Sequence, residues 1–236
     1  MLPRTAAKTT DGLISGATPC YDNNRQRVRQ AVKKGSHLYE VTNSQAGHIQ
    51  FEGRFMNTKT RATIEDLSKV EGKAELVNGE IVCMSPTGGV PGIASAMITA
   101  SLVQYMRRVR TGWAVGDNVG FRVHLPHRES LSPDAAYYAG ARPTMQFFDG
   151  APVFAAEVRS ENDYGEAAEE KIREKRTDYF ACGTRVVWDV DLLSPDVIKS
   201  YRISAPDTPL IFRRGDIADA EPAVPGWRMP VDELFG

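Results

Sequence analysis

Ser132-Pro133-Asp134-Ala135-Ala136-Tyr137-Tyr138 and, after a polar loop, Pro152-Val153-Phe154-Ala155-Ala156-Glu157-Val158-Arg159-Ser160 are the stretches on which the fold turns. Pro133 pre-sets an extended entry into a strand that carries Asp134 at its start. Val153 to Val158 reads as a strand buried on both faces, and an acid at its end must be hydrated, paired or bound to a metal. A charged segment over Glu166 to Cys182 then reads as a helix that stops at Gly183 and carries Lys171 and Lys175. Two carboxylates and one or two lysines therefore flank a pair of strands and the helix after it.

Upstream, Ala74 to Met84 gives two apolar runs across Asn78-Gly79, a strong hairpin signal because both central residues of the favoured turn need positive φ. Thr63 and Asp66 form a short version of the capping box before Leu67. Residues 92–110 repeat Ile93, Met97, Ile98, Leu102, Tyr105, Met106 and Val109 at helical spacing and end in arginines that suit a helix C-terminus. Trp113 to Leu125 reads as a strand pair or a bent strand, and Thr184–Asp191, Val197–Ile203 and a run from Leu210 as further strands. This order predicts an α/β domain with a mixed central sheet flanked by helices, over residues 58–236. Residues 1–57 lack a sustained apolar period and are expected to be a disordered N-terminal extension, including the basic segment Asp22 to Lys34.

With 29 basic and 30 acidic residues the net charge is −1, so any phosphate-binding surface must come from local clustering. Cys20, Cys83 and Cys182 show no zinc-like spacing and are expected to be reduced thiols. The four histidines form no metal-like cluster in the sequence. No apolar run is long enough to span a bilayer and no secretory signal is evident, so the expected location is cytoplasmic, away from membranes.

An Asp and a Glu at the ends of neighbouring strands, beside a lysine, make a hard-oxygen cation site. Magnesium at such a site polarises a phosphoryl oxygen and lowers the pKa of water, which suits phosphodiester hydrolysis. The plainer alternatives are that Asp134 caps a turn, that Glu157 reaches water, and that Lys171 and Lys175 belong to a solvated charged face. Tyr179, Trp188 and Tyr201 are expected to pack in the core or sheet rather than stack on bases.

Pro133-Asp134, Glu157-Val158-Arg159-Ser160, Glu174-Lys175 followed by Tyr179 and Gly183, and Val186 to Asp191 together resemble the Uma2 family, the DUF820 group of restriction-endonuclease-like proteins. Glu75 to Glu80 and Met84-Ser85-Pro86 resemble its opening hairpin, and the likeness spans about residues 60–235. The resemblance implies the PD-(D/E)xK nuclease fold and a magnesium- or manganese-dependent endonuclease acting on DNA. Asp134 and Glu157 would be the metal ligands, with the carbonyl of Val158 as a third, and Glu75 an auxiliary acid. The nuclease motif places its lysine two residues after the Glu, where this chain has Arg159, a side chain that stays protonated. The lysine role then falls to Lys175, with Lys171 its rival four residues away on the same helical face. A nuclease-fold protein that binds nucleic acid or a protein partner without cutting is the alternative that Arg159 favours, and a homodimer a further one. Sequence specificity is expected in the loops Thr87–Gly92 and Arg142–Gly150.

Overall fold

Asn78 and Gly79 turn the chain with φ of 54° and 74°, the left-handed pair that a two-residue hairpin needs. They lie in a computed structural model that describes residues 61–236; the expected extension, residues 1–57, falls outside the described residues. The first elements are α1 (Ile64–Leu67), capped reciprocally by Thr63 and Asp66, and the hairpin β1 (Ala74–Val77) and β2 (Glu80–Cys83). Helix α2 (Gly89–Val109) begins before the expected residue 92, because Pro91 lies in its first turn where no amide donor is required. It buries Ala94, Ile98, Leu102 and Tyr105.

The chain continues through β3 (Trp113–Val115), β4 (Phe121–Leu125), β5 (Arg128–Leu131), β6 (Ala135–Tyr138), β7 (Phe148–Asp149) and β8 (Phe154–Val158). Helix α3 (Glu166–Ala181) precedes β9 (Val186–Val190), β10 (Ile198–Arg202), β11 (Ala205–Phe212), β12 (Ile217–Asp219), β13 (Arg228–Pro230) and a closing 3-10 turn over Val231–Phe235. The central sheet is mixed, in the order β11-β10-β9-β8-β6-β3, with β8 and β9 parallel and its other pairs antiparallel. A second, five-stranded sheet runs β2-β1-β5-β4-β7, and β12 pairs with β13 as a ribbon. Trp113 to Leu125 thus supplies one strand to each of the two larger sheets instead of a pair within one, and β5 is a strand the sequence reading did not separate from its surroundings.

Alternation along the central strands divides the interior in two. Phe154, Ala156 and Val158 of β8, with Val186, Trp188 and Val190 of β9, pack with α2 and the C-terminal segment. Ala155 and Val187 face the other way, with Ala136, Tyr138, Tyr179 and Phe121. On the α2 side Trp188 and Trp227 stack at 5.1 Å, and Phe154 meets Trp188 edge-on at 5.1 Å. Trp227 also donates its indole N–H to Ser101 Oγ at 3.0 Å, which fastens the C-terminal segment to α2. Cys182 is a free, half-buried thiol whose pKa burial raises to about 11. No helix among the described residues is long and apolar enough to cross a membrane.

Because Trp227 is 2% exposed and touches two other aromatic rings, Trp227→Ala is expected to destabilise the protein by about 3–5 kcal/mol. The midpoint of urea unfolding, followed by far-UV circular dichroism, checks this.

Candidate functional site

Antiparallel pairing of β6 with β8 sets Ala135 against Ala156 and Ala136 against Ala155. Extending that register by one step places Asp134 opposite Glu157, and Asp134 N–H does donate to Ala156 O at 3.1 Å. Opposed side chains of such a pair project from the same face, only about 5 Å apart at Cβ, and like charges there repel. The fold answers this repulsion with two lysines. Lys73, just before β1, lies 2.5 Å from Asp134 Oδ1 and 2.7 Å from Asp117. Lys175, on α3, meets the two Glu157 oxygens at 2.9 and 3.0 Å and Glu75 at 3.0 Å.

Hydrogen bonds fix both carboxylates further. Asp134 Oδ2 accepts from Val158 N–H at 2.7 Å, and Glu157 Oε1 accepts from Tyr179 O–H at 2.5 Å. Burial pushes the Glu157 carboxyl above its ordinary pKa, against the pull of Lys175, and the nearby Asp134 charge adds to the rise. Burial alone would lower the pKa of Lys175, but Glu157 and Glu75 outweigh it and keep the ammonium charged. Lys73 is held above its ordinary value by Asp134 and Glu157 in the same contest.

Behind this pair lies a buried ionic chain. Glu75, 3% exposed, receives Ser132 N–H at 2.8 Å on one oxygen and Arg128 Nη1 at 2.5 Å on the other. Arg128 donates Nε to Asp178 at 2.6 Å, and Asp178 in turn meets the half-exposed His127 at 2.7 Å. Burial raises the pKa of Glu75, yet Lys175 and Arg128 together reverse the sign and hold it below the ordinary carboxylate value.

The structure brings Asp134, Glu157, Glu75 and Lys175 together, with Val158 contributing its N–H. Lys171 is exposed on the wall of the same cleft, a cavity of about 740 Å³ that Asp134, Glu157 and Lys175 also line. Arg159 is committed elsewhere: its fork holds Asp189 at 2.7 Å through two nitrogens and also grips Glu169. Thr87 and Gly88 line the cleft, and none of residues 142–150 does. Tyr179 is fully buried, and its hydroxyl also binds a site carboxylate, so core packing describes only its ring.

Lys73, Asp117 and Arg128 are site residues that the sequence reading missed. Lys73 precedes Glu75 by two, the strand period that puts both on one face, and this was the available signal. Arg128 offered none, because its strand was not recognised. The donor set suits a hard cation, being two carboxylates on one face of a sheet with oxygen donors only. Among the described residues no three His, Cys, Asp or Glu side chains converge as a ready-made cage. A pair is what magnesium needs when water and phosphate complete its shell.

A mixed sheet flanked by helices, with opposed acids at a cleft and a helix lysine against one of them, defines a protein of restriction-endonuclease-like fold. The chain belongs to the Uma2 family, whose model, described as "Putative restriction endonuclease", matches residues 62–232. Among solved structures it is similar to "a putative nuclease belonging to DUF820" from Anabaena variabilis, with a TM-score of 0.57 and 16% identity. That match covers 73% of this chain and 97% of the other, and at this identity it shows the fold alone. Among curated proteins, none matches the chain.

Removing one partner from the buried chain leaves its cations uncompensated, so Glu75→Gln is expected to cost about 3 kcal/mol at neutral pH. Since the folded-state pKa of Glu75 lies below its ordinary 4.5, its contribution is complete above pH 4.5 and is lost as pH falls through the folded value. The stability difference between the wild-type and variant proteins should therefore be flat from pH 7 to about 5 and shrink on further acidification. Urea midpoints taken across that range measure it.

Proposed function

We propose that this protein is a divalent-metal-dependent endonuclease that hydrolyses phosphodiester bonds in DNA, with Asp134 and Glu157 holding magnesium or manganese. The observation that carries this reading is the cross-strand opposition of Asp134 and Glu157 at the cleft, with Lys175 held against Glu157. The carbonyl of Val158 is the third ligand in this proposal. When bound, the ion would polarise the phosphoryl oxygen and acidify the attacking water.

The chain's own residues do the rest. Lys175 stays an ammonium, so it orients water and steadies negative charge developing on the phosphate, and it does not take up a proton. Glu75 and Tyr179 fix the positions of Lys175 and Glu157 through contacts of 3.0 and 2.5 Å. Arg159, locked to Asp189 and Glu169, buttresses the strand end rather than meeting the substrate.

Supercoiled plasmid incubated with the full chain and manganese or magnesium tests this reading. Nicking is expected only with metal, abolished in Glu157→Ala and reduced about a hundredfold or more in Lys175→Ala. A folded protein that cuts with neither metal but retains DNA, with affinity falling steeply as salt rises, would sink the endonuclease reading in favour of a binder that does not cut.

A further inference from the structure

The proposed metal chemistry leaves Lys73 without a task, although its side chain is only 12% exposed and lies against a ligand. Asp134 Oδ2 already accepts from Val158 N–H, which makes Oδ1, the oxygen that Lys73 holds at 2.5 Å, the favoured seat for a cation on this carboxylate. A magnesium ion sits about 2.1 Å from its carboxylate ligand. Two cations crowded against one oxygen repel strongly where little water screens them. Lys73 has a second anchor: Asp117, in the β3–β4 loop, is 2.7 Å from the same ammonium and its side chain is 40% exposed. Lys175 is placed differently, between Glu75 and Glu157, whose side chains are 4% and 25% exposed, with no comparable outer acid among its contacts.

We propose that Lys73 is a tethered counter-ion: it occupies the cation position on Asp134 in the metal-free protein and retreats onto Asp117 when a divalent ion enters. The proposal rests on the reading of Asp134 and Glu157 as metal ligands. It gives the two lysines separate duties, Lys175 staying with the site in both states and Lys73 exchanging with the metal. The opposed carboxylates are then neutralised whether or not metal is present, and the fold does not depend on the ion. Metal affinity becomes a competition, weakened by the fraction of time that Lys73 spends on Asp134. Asp117 sets that fraction by offering the ammonium somewhere else to go.

Manganese binding to the full chain, read from the electron paramagnetic resonance of free Mn²⁺, tests this without any activity assay. Lys73→Met is expected to bind about tenfold more tightly than wild type, and Asp117→Asn about threefold more weakly. Thermal melts give an independent readout, with Mn²⁺ raising the Tm of Lys73→Met by more than that of wild type. Adding Asp134→Ala to Lys73→Met should abolish binding. Should the Met variant fail to fold, Lys73→Gln repeats the test, and Asp117→Asn examines the native ammonium directly. Unchanged or weaker binding in a folded Lys73 variant overturns the counter-ion role while leaving the metal reading intact. Unchanged binding in Asp117→Asn overturns the retreat. Binding by neither wild type nor a folded Lys73 variant, or binding that survives Asp134→Ala, overturns both the proposal and the metal reading.

Discussion

Two carboxylates on opposing strands of one sheet face repel each other, and much of the surrounding structure can be understood as the response to that repulsion. Register alone creates the problem, since pairing Ala135 with Ala156 leaves Asp134 facing Glu157. Three separate segments supply the answer. The approach to β1 brings Lys73, α3 brings Lys175 and Tyr179, and β8 turns the Val158 N–H toward Asp134. Each of these elements is positioned by its own packing, yet all of them converge on one pair of acids. A charge placed in a poorly hydrated site is tolerated only when its partners are in place, so the second sheet and the helix are tied to the first through this point.

The same logic extends one layer outward. Lys175 needs more than Glu157, because a largely buried ammonium between two acids balances better than one beside a single acid; Glu75 provides the second contact at 3.0 Å. Glu75 is then balanced by Arg128 and Arg128 by Asp178, which hydrogen-bonds the half-exposed His127 ring. The alternation of sign continues until it reaches a residue that water can hydrate. That chain spans β1, β5 and α3, and it couples the five-stranded sheet to the helix that carries the site lysine.

Much of this was legible in the sequence where the signal was local. Asn78-Gly79, the Thr63/Asp66 cap, the apolar run before Glu157 and Gly183 after α3 each identify their element by short-range chemistry. Gly183, at φ 95°, ends α3 in a conformation that side chains disfavour. What escaped was non-local. Arg128 lies in a four-residue strand beginning three residues after Leu125, and nothing in Arg-Glu-Ser-Leu announces that its first residue will meet Glu75 and Asp178. Two sheets in place of one follow from the same limit, since the pairing of β1 with β5 joins segments some fifty residues apart. Asp117 was hidden for a similar reason, its value depending wholly on a lysine some forty residues earlier in the chain.

The division of β8 and β9 into two faces carries a consequence for how the strands find their alignment. Phe154, Ala156 and Val158 meet the tryptophan pair, while Ala155, Glu157 and Arg159 point to the opposite layer. Sliding β8 by a single residue would exchange the two sets. A carboxylate and a guanidinium would then enter the aromatic layer around Trp188 and Trp227, among the apolar side chains buried there. The charged residues of the cleft thus act as a lock on strand alignment, making wrong pairings far costlier than the small alanines of β6 and β8 could by themselves.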